Sequence, residues 1–294
     1  MTKKLLFFMM LFVSFALSYA QDDAPDDAPK EGWTKTGKTS ILFNQSSFSN
    51  WTAGGDNSLS GTFGLNYDFN YVKGKWSWDN KLIASYGISK NSGEDYKKTD
   101  DRLEFNSTVG SKFKEHWYYS GFVNFKTQFD SGIDDDTDKQ ISHFFSPAYL
   151  QFGLGLLWKK NDNLKVNFAP ATGKMIFVHS EFTDPLDPDN NLDSEGKYFG
   201  VDAGDSSRFE FGFAINSYFK FEVMENVSVE NILNLYSNYL EDPQNVDIDY
   251  TLNVVMSINK WLSANLAFQA IYDDNAFRGF QIREVFGVGL NYGF

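Results

Sequence analysis

The chain has 294 residues, no cysteine and a formal net charge of −13. Without cysteine there is no disulfide framework, no zinc–thiolate site, no cysteine nucleophile and no lipid-bearing cysteine, and an acidic chain without a basic stripe argues against a nucleic-acid partner. Thirty Phe, fifteen Tyr and seven Trp are spread through polar sequence, and no run after the first twenty residues is apolar for long enough to cross a bilayer as a helix, so the aromatics call for alternating strands.

Residues 1–20 read as a secretory signal peptide: Lys3 and Lys4, an apolar run from Leu5 to Leu17, then Ser18, Tyr19 and Ala20 as a small-x-small cleavage site. Removing it takes the net charge from −13 to −15. Residues 21–36 read as a flexible leader, because the stretch from Gln21 to Gly32 is acidic, contains Pro and has nothing to bury. Residues 37–294 are expected to form one all-β domain, a transmembrane antiparallel up-and-down barrel of about twelve strands.

The first strand is expected near Thr39–Phe48. The second shows the period best, with Leu59, Phe63, Leu65, Tyr67, Phe69 and Tyr71 on one face and Ser60, Thr62, Asn66, Asp68 and Asn70 on the other. Later apolar faces run through Trp76 to Ile88, Leu103 to Phe113, Trp117 to Phe129, Leu150 to Trp158, Leu164 to Phe168, Phe209 to Phe221, Val227 to Tyr239, Val246 to Ile258 and Leu262 to Tyr272. Alternation this long exceeds the roughly 5–6 residues of an ordinary soluble strand and suits the 9–11 or so needed to cross a bilayer. Tight connections at 73–75, 114–116, 160–163, 224–226 and 259–260 alternate with mostly longer ones at 49–57, 89–100, 130–145, 179–207, 241–245 and 273–279. Short periplasmic turns opposite longer outer loops are the mark of an outer-membrane barrel.

The last strand ends on Phe286, Val288, Leu290, Tyr292 and Phe294, separated by small or polar residues. Its Gly289, Tyr292 and Phe294 resemble the C-terminal insertion signal of Gram-negative outer-membrane barrels, although Gly287 stands where that signal has a polar residue. The resemblance implies the barrel-assembly machinery as a partner, with outer-membrane lipid and lipopolysaccharide around the folded protein, and the cell outer membrane as its location. A soluble lipocalin-like barrel would alternate too, with its apolar face turned inward. Strand length, loop asymmetry and aromatics near the strand ends favour an outward apolar face.

The segment QSSFSNWTAGGDNS, from Gln45 to Ser58, followed by Trp76, Asn80, Leu82, Tyr86 and Gly87, resembles a domain-of-unknown-function family of outer-membrane barrels of Bacteroidetes type. Lys98, Asp101, FKTQFDSG (Phe125–Gly132), FFSPAYLQFGLG (Phe144–Gly155) and PATGK (Pro170–Lys174) look like later blocks of the same family. The resemblance implies fold and location, and no activity.

With the apolar face outward, strict alternation lines the lumen with Asp68, Asp79, Glu104, Glu210, Glu222, Glu230, Asp247 and Asp249, and with Lys81, Arg102, Lys112, Lys126, Lys165, Arg208, Lys220 and Arg283. Signs in balance argue against a strongly selective ion pore. Two readings stay open: a passive or weakly selective channel for small polar solutes, or a non-conducting barrel whose lumen is filled by ion pairs and whose acidic outer loops are a binding or structural surface. An outer-membrane hydrolase is a third. His116, His143 and His179 sit in no motif with Ser and acid, so the sequence predicts a non-enzyme without a cofactor and three solvated surface histidines. In the loop from Glu181 to Asp205, eight acids face one base, Lys197. Asp187, Asp189, Asn191 and Asp193 fall at every second residue, as oxygen ligands for weak calcium binding would, although Leu192 and Tyr198 stand where a calcium loop wants Gly and Glu.

Overall fold

The computed structural model describes residues 31–47, 57–134, 137–188 and 190–294. The expected signal peptide, all of the leader up to residue 30, residues 48–56 of the segment that carries the family resemblance, and Asp189 lie outside the described residues.

Twelve strands close into one antiparallel barrel and four short ones decorate its outer loops. In chain order they are β1 (Gly32–Ser46), β2 (Ser58–Lys73), β3 (Trp76–Asn91), β4 (Lys97–Lys114), β5 (Trp117–Thr127), β6 (Gly132–Ile133), β7 (Gln140–Ser142), β8 (Ala148–Asn161), β9 (Leu164–Phe177), β10 (Lys197–Tyr198), β11 (Val201–Asp202), β12 (Ser207–Met224), β13 (Val227–Asn238), β14 (Asp247–Ser257), β15 (Leu262–Asp273) and β16 (Phe277–Gly293). The ring runs β1-β16-β15-β14-β13-β12-β9-β8-β5-β4-β3-β2, and the hairpins β6–β7 and β10–β11 stand outside it. Among the described residues no helix is long and apolar enough to cross a membrane, which says nothing of strands.

The seam joins β1 to β16. Backbone Gly37 N–H donates to the Phe294 carbonyl at 2.7 Å, and Phe294 N–H returns a bond to the Gly37 carbonyl at 2.9 Å. A Cβ on Gly37 would lie 2.3 Å from the Phe294 ring, so only glycine lets the aromatic lie flat across the seam. β1 starts at Gly32, inside the stretch expected as leader, and reaches Trp33, whose ring meets Tyr71 at 5.1 Å and Trp78 at 5.7 Å. The leader and the first strand expected near Thr39 are corrected accordingly: aromatic packing on β2 and β3 extends the strand where polarity suggested a loose tail.

Burial is inverted relative to a soluble sheet. Leu154 is 70% and Phe286 59% exposed, whereas Glu104 and Glu210 are each 1% exposed. Water would penalise that much open apolar surface at about 25 cal/mol per Å2, and lipid removes the penalty. Aromatics gather at the tight-turn rim, where Phe113 stacks on Tyr119 at 4.4 Å and Trp261 on Tyr292 at 6.2 Å. At the loop rim Phe145 meets Phe177 at 5.5 Å and Tyr272 meets Phe280 at 5.4 Å. Two such belts bound the apolar band of a membrane barrel. The barrel strands run from 11 to 18 residues, long enough to cross with tilt.

The expected loop asymmetry holds with one exception. Only residues 274–276 separate β15 from β16, so that outer connection is as tight as the turns opposite. At the other rim Gly74 and Asn226 take positive φ (55° and 66°), as two-residue hairpin turns require.

One irregularity matters for everything inside. Between β8 and β9 the register passes from Leu154↔Ala171 to Leu156↔Phe168, and between β12 and β9 from Gly212↔Thr172 to Ala214↔Ala169. Both neighbours thus place one extra residue in β9 between Ala169 and Ala171, a β-bulge at Pro170. Beyond it the side chains of β9 swap faces.

Candidate functional site: a lumen crossed by ion pairs

Toward the tight-turn rim, Asp79 on β3 accepts from Lys159 Nζ of β8 and Lys165 Nζ of β9, each at 2.9 Å, while Lys159 also donates to Ser77 at 3.1 Å. Two residues up β3, Lys81 pairs with Asp68 at 3.3 Å and with Glu230 on β13 at 3.0 Å. Glu230 also accepts from the Tyr218 hydroxyl at 2.9 Å and the Asn253 amide at 2.8 Å. In the ring β3 and β13 stand six places apart, so the Lys81–Glu230 bond spans the full width of a twelve-strand barrel.

A second group lies toward the loop rim. Lys174 on β9 holds Asp247 at 2.8 Å, Asp273 at 3.2 Å and Glu210 at 3.6 Å. Arg208 extends the set, bonding Glu210 at 2.9 Å and Glu241 at 2.8 Å. Between the groups Lys126 on β5 binds Asp249 on β14, Arg102 pairs with Glu104, and Arg283 on β16 pairs with Asp100 on β4. Glu104 takes a further bond from Asn106 at 2.8 Å, and Asp249 one from Gln269 at 2.9 Å. Buried charges hold their ionised forms only when paired and hydrogen-bonded in this way.

Of the lumen residues expected from alternation, Asp68, Asp79, Lys81, Arg102, Glu104, Lys126, Arg208, Glu210, Glu230, Asp247, Asp249 and Arg283 all enter these networks. Lys112 does not: it is exposed at the tight-turn end of β4, with its backbone N–H on the Lys75 carbonyl at 2.7 Å. Alternation missed Lys174, the most connected cation, because counting by twos from Leu164 puts it on the lipid side. Pro170 was the available signal, since proline inside a strand marks an edge or a bulge. Lys159, Asp100 and Asp273 were missed because they lie where strand met expected connection.

The space left between the bridges includes three larger cavities among the described residues. One of about 260 Å3 is bordered by Asp79, Lys165 and Tyr218; one of about 240 Å3 by Lys38, Arg102, Glu230 and Arg283. Lys81 and Asp68 line both. The third, about 430 Å3, lies at the loop end beside Lys174, Tyr149, Phe199 and Asp247. The connection between β9 and β12 reaches this cavity through Phe199. Its Val178, Phe182 and Val201 bury themselves on Ile176 of β9, with Tyr149, Tyr198 and Phe199 packed against them.

Some of the residues that carry the family resemblance, Tyr86, Lys98, Asp101, Phe129 and Asp130, meet at this rim. Asp101 accepts the backbone N–H groups of Phe129 at 2.7 Å and Asp130 at 3.0 Å, Lys98 bonds Asp101 at 2.7 Å and the Asp130 carbonyl at 2.9 Å, and the Tyr86 hydroxyl donates to Asp130 at 2.8 Å. They hold β3, β4 and the end of β5 together.

The acidic residues read as calcium ligands have separate tasks. Asp193 Oδ1 accepts the backbone N–H of Glu195 at 2.8 Å and of Lys197 at 2.9 Å, Asn191 donates to the Gln140 carbonyl at 2.8 Å, and Asp187 lends its carbonyl to Asn190 at 2.7 Å. Two of the three histidines, expected as solvated surface residues, stand together: the His143 and His179 rings are 5.1 Å apart and Glu181 lies between them. His116 alone stays at the tight-turn rim, beside Glu115 and Trp158.

Residues 43–133 match the family model described as Protein of unknown function (DUF3078), which covers the first blocks of the resemblance. No curated protein matches the chain. Among solved structures, an outer membrane channel from Pseudomonas putida F1 shares 10% identity at a TM-score of 0.39, over 92% of this chain and 98% of that one. The translocator domain of the autotransporter NalP from Neisseria meningitidis shares 7% identity at 0.34, over 91% and 90%, and the outer membrane channel DcaP of Acinetobacter baumannii 10% at 0.32, over 90% and 96%. The barrel assignment rests on this chain's own closed ring of strands.

Proposed function

We propose that the protein is an outer-membrane barrel that passes small polar solutes with weak selectivity, through a lumen narrowed by ion pairs. The supporting observation is the pairing of an apolar exterior with a polar, sign-balanced interior holding cavities of about 240, 260 and 430 Å3 between its bridges. Balanced charge gives neither cations nor anions a preferred path, and cavities of this size admit solutes of a few heavy atoms. A second reading, a closed barrel with a structural or binding role at its outer face, is favoured by one specific contact, the Lys81–Glu230 bond across the full width of the lumen. Conductance in planar bilayers separates them. The channel reading expects small steps from the native protein, with little preference between cations and anions, and larger steps when Lys81→Met and Glu230→Gln are combined. Silence from the native protein and from the double variant overturns it in favour of the closed barrel.

Assembly belongs to the same proposal. Gly289, Tyr292 and Phe294 are assigned to recognition by the barrel-assembly machinery, and the exposed belts to outer-membrane lipid and lipopolysaccharide. Changing Tyr292 and Phe294 together to Ser is expected to stop insertion while leaving signal cleavage intact. Ordinary heat-modifiable migration of that variant in outer-membrane fractions would remove the assignment.

A further inference from the structure

Two outer connections that are far apart in sequence deliver two imidazoles and a carboxylate to one point. His143 comes from the segment between β7 and β8. His179 and Glu181 come from the end of β9 and the single helical turn at Ser180–Phe182. The His143 Nε2 lies 2.9 Å from Glu181 Oε1, the His179 Nδ1 3.4 Å from the same oxygen, and the three donor atoms all fall within 4.8 Å of one another. The backbone holds both loops in place. His143 and Ser146 exchange main-chain bonds at 2.9 Å, Ser146 Oγ accepts the His179 N–H at 2.8 Å, and the Phe182 ring packs 5.3 Å from that of His143.

The hydrogen-bond inventory around His143 leaves a question that a cation answers. Its Nδ1 faces the Phe144 carbonyl oxygen at 2.7 Å and its Nε2 faces the Glu181 carboxylate, both of them acceptors only. A neutral imidazole has one N–H and can serve only one of the two. With the proton on Nδ1 and bonded to Phe144, the Nε2 lone pair points at a carboxylate oxygen and needs a positive charge between them. His179 Nδ1 lies 3.4 Å from that same oxygen and also accepts the Glu181 backbone N–H at 3.4 Å, a long bond that an ion would replace. An imidazole fixed by its second nitrogen on a backbone carbonyl, with its first nitrogen free and aimed, is the arrangement in which proteins present histidine to a metal.

We propose that His143 Nε2, His179 Nδ1 and Glu181 bind a divalent ion of the zinc(II) class at the outer mouth of the barrel. Two imidazole nitrogens and one carboxylate oxygen select borderline ions over calcium and magnesium, which take oxygen sets. Zinc bonds of about 2.0–2.2 Å in a tetrahedral site put donors roughly 3.3 Å apart, close to the two separations from Glu181, so small side-chain rotations bring the donors to bonding distance. Three protein donors leave one position for water or a small anion. Partial exposure of all three side chains, at 25%, 55% and 48%, gives the ion an entry path from outside. Once bound, it would tie the connection before β8 to the one that brings Phe199 to the loop-end cavity.

Calorimetry with zinc chloride on the untagged, detergent-purified protein tests this, with cobalt(II) absorption as a second readout. One zinc per chain is expected, with Kd raised at least tenfold by His143→Ala, His179→Ala or Glu181→Gln, unchanged by His116→Ala, and unaffected by excess calcium. Cobalt should give visible bands of a nitrogen- and oxygen-bound, four- or five-coordinate ion, which the Glu181→Gln chain lacks. Heat-modifiable migration verifies that each variant is folded, and Glu181→Gln keeps the size of the side chain. Equal zinc binding by the native protein and the His143→Ala/His179→Ala double variant overturns the site. So does absence of zinc binding by the native protein.

Discussion

β2 and β9 cross the same wall with opposite regularity. In β2 the alternation runs unbroken: Phe63, Leu65, Tyr67 and Phe69 go outward and Asn66, Asp68 and Asn70 inward, and every residue from Ser58 to Val72 has a partner in register on β1. In β9 the register slips by one residue at Pro170, and Lys174 lands among Glu210, Asp247 and Asp273 instead of in lipid. The difference teaches that the face of a barrel residue is set by its distance from the nearest bulge as much as by its neighbours in sequence. A one-residue slip turns every later side chain to the other face.

The largest way to break that comparison is deletion. Removing Gly64 from β2 flips one half of the strand and puts either Asn66, Asp68 and Asn70 or their upstream equivalents into lipid, so assembly is expected to fail. Removing Pro170 from β9 only takes out the extra residue and leaves Lys174 inward, so a folded barrel is expected. Heat-modifiable migration of the two deletion chains in outer-membrane fractions measures both, and equal behaviour would refute the account of β9.

A sign test sharpens it further. If Lys174 faced lipid, Lys174→Met would stabilise the barrel. Facing the lumen at 6% side-chain exposure with three carboxylates around it, its loss is expected to destabilise by about 3–5 kcal/mol, the range for stranding buried charge. Denaturant titration in detergent reads the sign directly. On β2 the corresponding substitutions, Leu65→Lys and Asn66→Lys, should separate. The first is expected to cost about 2–4 kcal/mol at the lipid midplane and the second under about 1 kcal/mol.

The smallest effect concerns the acidic loop that follows β9. The proposal there is calcium binding of about 10⁻⁴ to 10⁻³ M affinity, through Asp187, Asp193 and their neighbours. Changing Asp187 and Asp193 to Asn should remove a small calorimetric heat, and identical heats would return the loop to solvated surface. Asp193 already caps its own turn through the Glu195 and Lys197 N–H groups, which limits what it can offer a cation.

Much of the wall was legible because period two is a local property. Leu59 to Tyr71 announces its outward face in one line of sequence, and twelve such runs fix strand number and closure together. Which lumen charges meet was not legible, because Lys81 finds Glu230 across 149 positions and Lys126 finds Asp249 across 123. Pairings of that range follow from ring size and stagger, and no single strand encodes either. The clustering of His143 with His179 was hidden for the same reason: it depends on where two loops cross.

A cylinder held only by hydrogen bonds between neighbouring strands behaves as a hoop, stiff against stretching around its circumference and soft against being flattened. Lateral pressure from the surrounding bilayer acts on that soft mode. The Lys81–Glu230 bond is a spoke along a diameter, and Lys126–Asp249, Lys174–Asp273 and Arg283–Asp100 are chords joining strands four or five places apart in the ring. They stand at different heights, so the cross-section is braced along most of the bore, as in a spoked wheel. Each spoke also sits in the path of anything moving through, so this barrel keeps its roundness with the same side chains that would have to part to let a solute by.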